Sequence, residues 1–303
     1  MKALEIGDGV YCLPGACNIG IIVGDRGEAL LVDTGLDASS GRRAVKATEE
    51  MGARVVAIIN THAHADHVGG DAEVKRRTAC SVLAPRFEAC WLDEPLLEPF
   101  SLFNAAYPPS SMRNKFVMAE GCAVDRVIEP GDIEVAGTRL RIVDLKGHSP
   151  HQIGVLCRGC LFSGDAFFKA EQLEKHVIPY NADIGSHLET LRRLPEIGAR
   201  VVVPGHGGVA DDPEGSIRMN LERIEMISQE ILECLRNPLT IEGVTEHLCR
   251  TMGVEPVSVA HHYLIVSAVS AYLSYLSDAG LVGHEASRGR LVWRRTGDAM
   301  GRG

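Results

Sequence analysis

Short apolar runs broken by glycine open the chain. "VYCLPG", "NIGIIVG" and "ALLVDTG" are three such runs, with "GDRGE" reading as a hairpin connection between the last two, and the pattern predicts three antiparallel strands. "DASSGRRAVKATEEMG" then sets Asp/Ser cap candidates ahead of Ala44, Val45, Ala47 and Met51 and stops at Gly52, which predicts a helix. "ARVVAIIN" follows as a buried strand, "DAEVKRRTA" as a helix and "CSVLAP" as a short strand.

Residues 86 to 122 break this rhythm, being rich in Pro and large apolar groups without strand alternation. They read as an insertion of short helices and loops, a lid or pocket wall, and its Trp91, Phe100, Phe103 and Tyr107 could line a pocket or equally form the insertion's own mini-core or a dimer contact. "RVIEPGDIEVAGTRLRIVDLKG" returns to strands, "GVLCRGCLFSGD" to a hairpin, "GSHLETLRRLPEIG" to an amphipathic helix and "ARVVVPGHGG" to a strand running into a glycine-rich loop. Strands and helices mixed in this way predict helices covering the outer faces of two packed sheets.

From Asp211 the pattern is helical. A capped helix carries Ile217, Leu221, Ile224 and Ile231 at helical spacing, a shorter one follows, and a long third one is expected to bury Val259, Tyr263, Val266, Val269, Leu273 and Leu276. "LVGHEASRGRLVWRR" reads as two short strands around a Gly/Ser-rich turn.

The 303 residues are 45% hydrophobic and 23% charged, an ordinary globular composition. A formal charge of −9 argues against coating nucleic acid or an anionic membrane as the main task. The N-terminus lacks a signal-like apolar segment and no run reaches membrane-spanning length, so a soluble cytoplasmic protein is expected. Nine cysteines without disulfide-scaffold spacing fit reduced thiols, and "CRGC" (Cys157, Cys160) reads as a hairpin turn carrying two of them.

The chemistry concentrates in "NTHAHADHVGG". His62, His64, Asp66 and His67 crowd the end of a buried strand in a chain with only 12 histidines. Neutral imidazole and carboxylate are the ligands that Zn²⁺ and similar ions favour, and this spacing suits two metals better than one. Partners occur in one repeated context, an apolar run, a small residue and a ligand-type residue: His148 in "DLKGHSPHQIG", Asp165 in "LFSGDAFF" and His206 in "VVVPGHGG". His176, His247, His261, His262 and His284 read as ordinary surface or core histidines. Tyr180, His176 and His187 lie between Asp165 and His206, where surface placement and substrate contact are both open.

These motifs, His-x-His-x-Asp-His followed by Gly-His-Ser-Pro, an Asp and a Gly-His, make the chain resemble metallo-β-lactamase-fold hydrolases across residues 1–210. The resemblance implies a four-layer αββα sandwich of the mixed α/β (α+β) class. It implies one metal on His62, His64 and His148, another on Asp66, His67 and His206, Asp165 bridging them, and Asp33 of "DTG" in support. Two divalent ions are expected, Zn²⁺ first with Fe or Mn as alternatives. The "GHSPHQ" run departs from the Gly-His-Thr-Pro-Gly-His of glyoxalase II-like relatives at His151 and Gln152.

Such a site hydrolyses an ester, thioester, lactone or related bond of a small-molecule substrate, with water as nucleophile and Asp66 as the catalytic proton-transfer group. There is no "GxSxG" elbow or "GxxxxGK" phosphate loop to support serine or nucleotide chemistry. The alternatives are an endoribonuclease or phosphodiesterase and an iron-dependent sulfur or oxygen redox enzyme. Residues 211–303 resemble the helical, winged-helix-like tail of small metallo-β-lactamase-like proteins, and Arg288, Arg290, Arg294, Arg295 and Arg302 outnumber Glu285 and Asp298 in the final hairpin. RNA binding by this hairpin is disfavoured against a solvated surface that packs on the core or on the second subunit of a homodimer.

Overall fold

The computed structural model describes residues 2–297, so Asp298 and Arg302 lie outside the described residues. The first sheet runs in chain order through β1 (Leu4–Gly7), β2 (Val10–Leu13), β3 (Ile19–Val23), β4 (Glu28–Val32), β5 (Arg54–Ile59), β6 (Ser81–Pro85) and β7 (Arg126–Ile128). Strands β1 to β4 are antiparallel, and β4 to β7 are parallel because helices make the crossovers. These crossovers contain α1 (Ala38–Glu50), then α2 (Ala65–Val68) with α3 (Asp71–Thr78), then α4 (Arg86–Asp93) with α5 (Leu97–Leu102). Helix α1 begins where expected, with the Asp37 carboxylate accepting from the backbone N–H groups of Ser39 and Ser40.

The second sheet contains β8 (Gly131–Val135), β9 (Thr138–Asp144), β10 (Ile153–Cys157), β11 (Cys160–Gly164) and β12 (Val201–Pro204), in the order β12-β11-β10-β9-β8. Its last pair is parallel, the β11 to β12 connection carrying α6 (Ala170–Lys175) and α7 (Ile184–Arg193). Three helices follow, α8 (Pro213–Cys234), α9 (Ile241–Thr251) and α10 (Val259–Asp278), and an antiparallel hairpin of β13 (Val282–Ser287) and β14 (Arg290–Arg295) completes the described chain.

Three apolar interfaces stack these elements into an αββα sandwich. The middle one lies between the sheets, where Ile22, Val32 and Ile59 meet Ile142, Val155 and Phe162. Outside the first sheet, Ile21, Leu31 and Ile58 pack under Ala44 and Val45 of α1 and Val74 of α3. Outside the second, Leu161 and Val202 pack with Leu188 and Leu191 of α7 and with Ile217 and Ile224 of α8, in a cluster that continues through α10 to Val282. Strand β4 reads as one apolar run because both its faces are covered, whereas β9 alternates Leu140 and Ile142 inward with Arg139 and Arg141 outward.

One expectation shifts. The long helix α10 buries Ile265, Ala268, Val269, Tyr272, Leu273 and Leu276, while Val259 is 43% exposed and Tyr263 and Val266 are half-buried. The core face begins at Ile265 because the first turns of α10 meet the insertion instead, where Ala260, Tyr263 and Leu264 pack beside Leu102, Met112 and Val117. The insertion itself is part mini-core and part wall: Phe103 packs edge-on against Tyr263 at 4.9 Å, Tyr107 is exposed under Arg113, and Trp91 turns toward the histidines. Cys157 and Cys160 face each other across a tight turn as free, buried thiols. No helix among the described residues is long and apolar enough to cross a membrane.

Candidate metal centre

Five strand ends meet at one edge of the sandwich. The "DTG" turn follows β4, the histidine loop follows β5, and His148, Asp165 and His206 follow β9, β11 and β12. The small residue ahead of each ligand-type residue has a steric reason. A Cβ on Gly205 would strike the Asp165 carboxylate and the His67 ring, and one on Gly147, whose φ is +131°, would strike the backbone of His187.

The structure brings all seven expected side chains together. Donor atoms of His62, His64 and His148 lie within 4.8 Å of one another, as do those of Asp66, His67 and His206. His64 Nδ1 and His148 Nε2 are 3.0 Å apart. Between the two groups sits Asp165, with Oδ1 3.4 Å from His67 Nε2 and Oδ2 3.5 Å from His148 Nε2 and 3.4 Å from His206 Nε2. Asp66 Oδ2 is 3.4 Å from His206 Nε2.

Hydrogen bonds on the far side of the rings fix which nitrogen faces inward. His67 Nδ1 donates to Asp33 Oδ2 (2.8 Å), His148 Nδ1 to the Tyr180 carbonyl (3.0 Å) and His206 Nδ1 to the Ala16 carbonyl (2.6 Å). Thr61 Oγ1 donates to Asp33 Oδ2, so it accepts from His62 Nδ1 at 3.0 Å. Every one of these four rings therefore turns Nε2 toward the common space, the orientation that outer partners impose on metal-binding histidines. His62 Nε2, His67 Nε2 and Asp165 Oδ1 are buried and have no hydrogen-bond partner. Buried lone pairs so arranged repel one another unless a cation lies between them.

A proton does not serve that purpose throughout. Burial lowers the pKa of His62 and His148 well below the ordinary value and takes His64 to about 4. Burial also opposes charge on His206 and His67, but Asp165 overrides it at His206, holding it at about 9, while Cys17, Asp165 and Asp33 do so at His67. That pull would act equally on a metal ion. The donor set, nitrogen and carboxylate oxygen only, fits divalent cations of the zinc type.

Asp33 anchors the arrangement from an uncommon backbone state, with φ +57°, and also takes the Thr61 N–H at 2.7 Å. Of the residues left open by sequence, Tyr180 lies 5.5 and 5.8 Å from the His64 and His148 rings, and His187 is buried behind Gly147, its pKa pushed down to about 4 by burial. His176 is exposed. Trp91 is 6.3 Å from His64, and Phe168 stacks on His206 at 6.5 Å.

Sequence reasoning missed four buried groups here. Cys17 Sγ lies 3.4 Å from His67 Nδ1, as a thiol whose pKa burial pushes up to about 12. Asp71 accepts from Thr34 and Asn60, both at 2.6 Å, beneath the loop. Glu88 and Glu98, from the insertion, accept the backbone N–H groups of Ala63 (3.0 Å) and Ala65 (3.1 Å). The carboxylates in the insertion's first helices, on an otherwise apolar stretch, were the available signal for the last two; nothing local marks Cys17.

The chain is 22% identical over 217 residues to an atrochrysone carboxyl ACP thioesterase of Aspergillus fumigatus, an alignment covering 71% of this chain and 59% of that one. It is 27% identical over 154 residues to a hydroxyacylglutathione hydrolase of Nitrobacter winogradskyi, covering 50% of this chain and 48% of the relative. The chain thus spans between about half and three-fifths of the length of these relatives. A solved metallo-beta-lactamase family protein from Thermus thermophilus has the same fold, with a TM-score of 0.75 at 24% identity over 95% of this chain and 99% of that one. The metallo-beta-lactamase superfamily pattern matches residues 12–206, which encloses every donor described above, and the chain belongs to that superfamily.

Proposed function

We propose that this chain is a hydrolase dependent on two divalent metal ions, Zn²⁺ first among them, that cleaves a thioester or ester of a small organic acid. The observation that carries this reading is the convergence of His62, His64, Asp66, His67, His148, Asp165 and His206 on one space, where His62 Nε2, His67 Nε2 and Asp165 Oδ1 are buried without hydrogen-bond partners. Cations bound there would lower the pKa of a water ligand from 15.7 to about 7, which makes hydroxide available at neutral pH. His62, His64 and His148 would hold one ion, Asp66, His67 and His206 the other, and Asp165 both.

The protein's own contribution is position and environment. Asp66 is the more open of the two carboxylates, its side chain 37% exposed against 7% for Asp165, and its Oδ is the atom suited to take up and pass on a proton. Trp91, Tyr180 and Phe168 stand beside the donors and would offer aromatic surface to an apolar acyl group. Burial raises the Tyr180 pKa, so its hydroxyl stays a hydrogen-bond donor, on a ring packed edge-on against His64 and His148. The names of the two relatives, an acyl-carrier thioesterase and a hydroxyacylglutathione hydrolase, favour acyl–sulfur bonds within this class.

Residues 211–303 are read as a winged-helix-like unit docked on a catalytic domain of residues 1–210. The apolar cluster shared by α7, α8 and α10 supports docking on the core in preference to RNA contact by the hairpin. A panel of thioesters, lactones, phosphodiesters and short RNA, run on protein of known metal content, tests the proposal. Thioesters are expected to turn over fastest and the His64→Ala variant to lose that activity. Full activity in His64→Ala would overturn the mechanism, and turnover of RNA alone would overturn the substrate class.

A further inference from the structure

The two groups of donors are steadied from different parts of the fold. His67 and His206 lean on the N-terminal sheet and its β2–β3 loop, through Asp33 and the Ala16 carbonyl, and Asp66 lies against His206. His62, His64 and His148 come from two separate loops, after β5 and after β9; one backbone bond, Ile153 N–H to the Thr61 carbonyl (2.9 Å), joins their bases, and the parts that carry His64 and His148 need a further tie.

Glu88 fills that role. It sits in the first turn of α4, in the insertion, with no exposed surface. Oε2 accepts the Ala63 N–H at 3.0 Å, from the residue between His62 and His64. Oε1 accepts the Ser149 hydroxyl at 2.6 Å and the His151 N–H at 3.0 Å, on the loop directly after His148. One rigid carboxylate thus ties the two loops together with three hydrogen bonds, two of them to backbone and so independent of the side chains at those positions. A buried carboxylate costs stability unless such donors surround it, and here all three belong to the loops that carry one group of donors. Ser149 and His151 sit in the "HSPHQ" run, so the hydroxyl there has a structural purpose and the imidazole-bearing His151 contributes its backbone.

We propose that Glu88 is a positioning residue that clips the His62/His64 loop to the His148 loop and thereby sets the affinity of the first metal position without acting on the second. This rests on the two-metal reading above. It gives the insertion a task besides walling the pocket: its helix adds a brace to the one the sandwich supplies between Ile153 and Thr61.

Stepwise Zn²⁺ binding to the full-length protein, followed by competition with a chromophoric chelator and by metal analysis after desalting, tests the clip. Wild type is expected to bind two Zn²⁺. Glu88→Ala is expected to retain one at wild-type affinity and bind the other about 10- to 100-fold more weakly, the usual effect of losing an outer-shell partner. In a His206→Ala background, which disables the second position, Glu88→Ala should weaken the remaining ion; in a His148→Ala background it should change nothing. Should Glu88→Ala fail to fold, Glu88→Gln and Ser149→Ala decide. Glu88→Gln sets an amide against the Ala63 N–H, and Ser149→Ala removes one bond of three, so each is expected to weaken the same step by a smaller factor. Equal weakening of both steps, or no change in either, overturns the proposal. A wild type that binds no Zn²⁺ contradicts the two-metal reading instead, which keeps the two failures apart.

Discussion

The two halves of the donor cluster share one loop yet depend on different neighbours. His67 and His206 are held by groups of the first sheet and its loops: Asp33 at the end of β4, and the Ala16 carbonyl and the Cys17 thiol between β2 and β3. His62, His64 and His148 are held by the Thr61 hydroxyl, the Tyr180 carbonyl and the insertion's Glu88. His67 and His206 therefore rest on the sandwich edge, while the loop that carries His62, His64 and Asp66 also leans on the insertion, through Glu88 at Ala63 and Glu98 at Ala65.

Asp165 belongs to both halves, so losing it erases the distinction between them. Asp165→Ala is expected to abolish tight binding of both ions and reduce hydrolysis to the uncatalysed background, as measured by metal analysis and turnover on one sample. Asp33→Ala should act unequally on the two halves. It frees His67 Nδ1 directly and is expected to cost about 10- to 100-fold in affinity for the second ion, with a smaller loss at the first, which it reaches only through the Thr61 hydroxyl that orients His62, read by the same stepwise titration. A comparable loss at both positions would show that the halves are not separately supported.

Tyr180→Phe probes the first half without touching its donors. The carbonyl that orients His148 remains, as does the ring, so two ions should still bind, and loss of the hydroxyl is expected to lower kcat/KM by a few-fold, equivalent to about 1 kcal/mol. An unchanged kcat/KM would remove the hydroxyl from the mechanism.

The mildest change lies beneath both halves, at Asp71. Burial raises its pKa to about 7 in the folded protein against 3.8 as the ordinary value. Between those pH values the folded chain holds a proton that the unfolded chain has released, so this group's contribution is complete below the lower value and is lost as pH rises toward the upper. The slope is at most about 1.4 kcal/mol per pH unit. Asp71→Asn removes the titration, and the Asn60 amide can turn to accept from the new side chain. Stability from denaturant unfolding should therefore fall less steeply from about pH 4 to about pH 7 in the variant than in wild type; identical slopes would contradict the assignment.

Much of this was legible in the chain. Strand runs such as "RVVAIIN" and capped helices such as the one after Asp37 carry local signals, and the seven donors occur in compact motifs whose glycines have the steric purpose seen at Gly147 and Gly205. What sequence did not reveal is long-range by nature. Glu88 meets residues 25 and 61 positions away, the first within the connections of the first sheet and the second across the two sheets, and Cys17 meets His67 at a separation of 50 through the pairing of the first sheet's strands. The phase of α10 departs from its apolar spacing for a related reason: the first turns face the insertion, so a pattern that reads as one core face serves two.

Seven side chains that hold two cations, and thereby make water reactive, are the foundation of the proposed chemistry. Thioester hydrolysis followed while Zn²⁺ is titrated into chelator-stripped protein tests it most directly. No turnover is expected without metal, with maximal turnover at two equivalents and reversal by chelator. Full turnover in stripped protein, or a maximum reached at one equivalent and unchanged by the second, would contradict it.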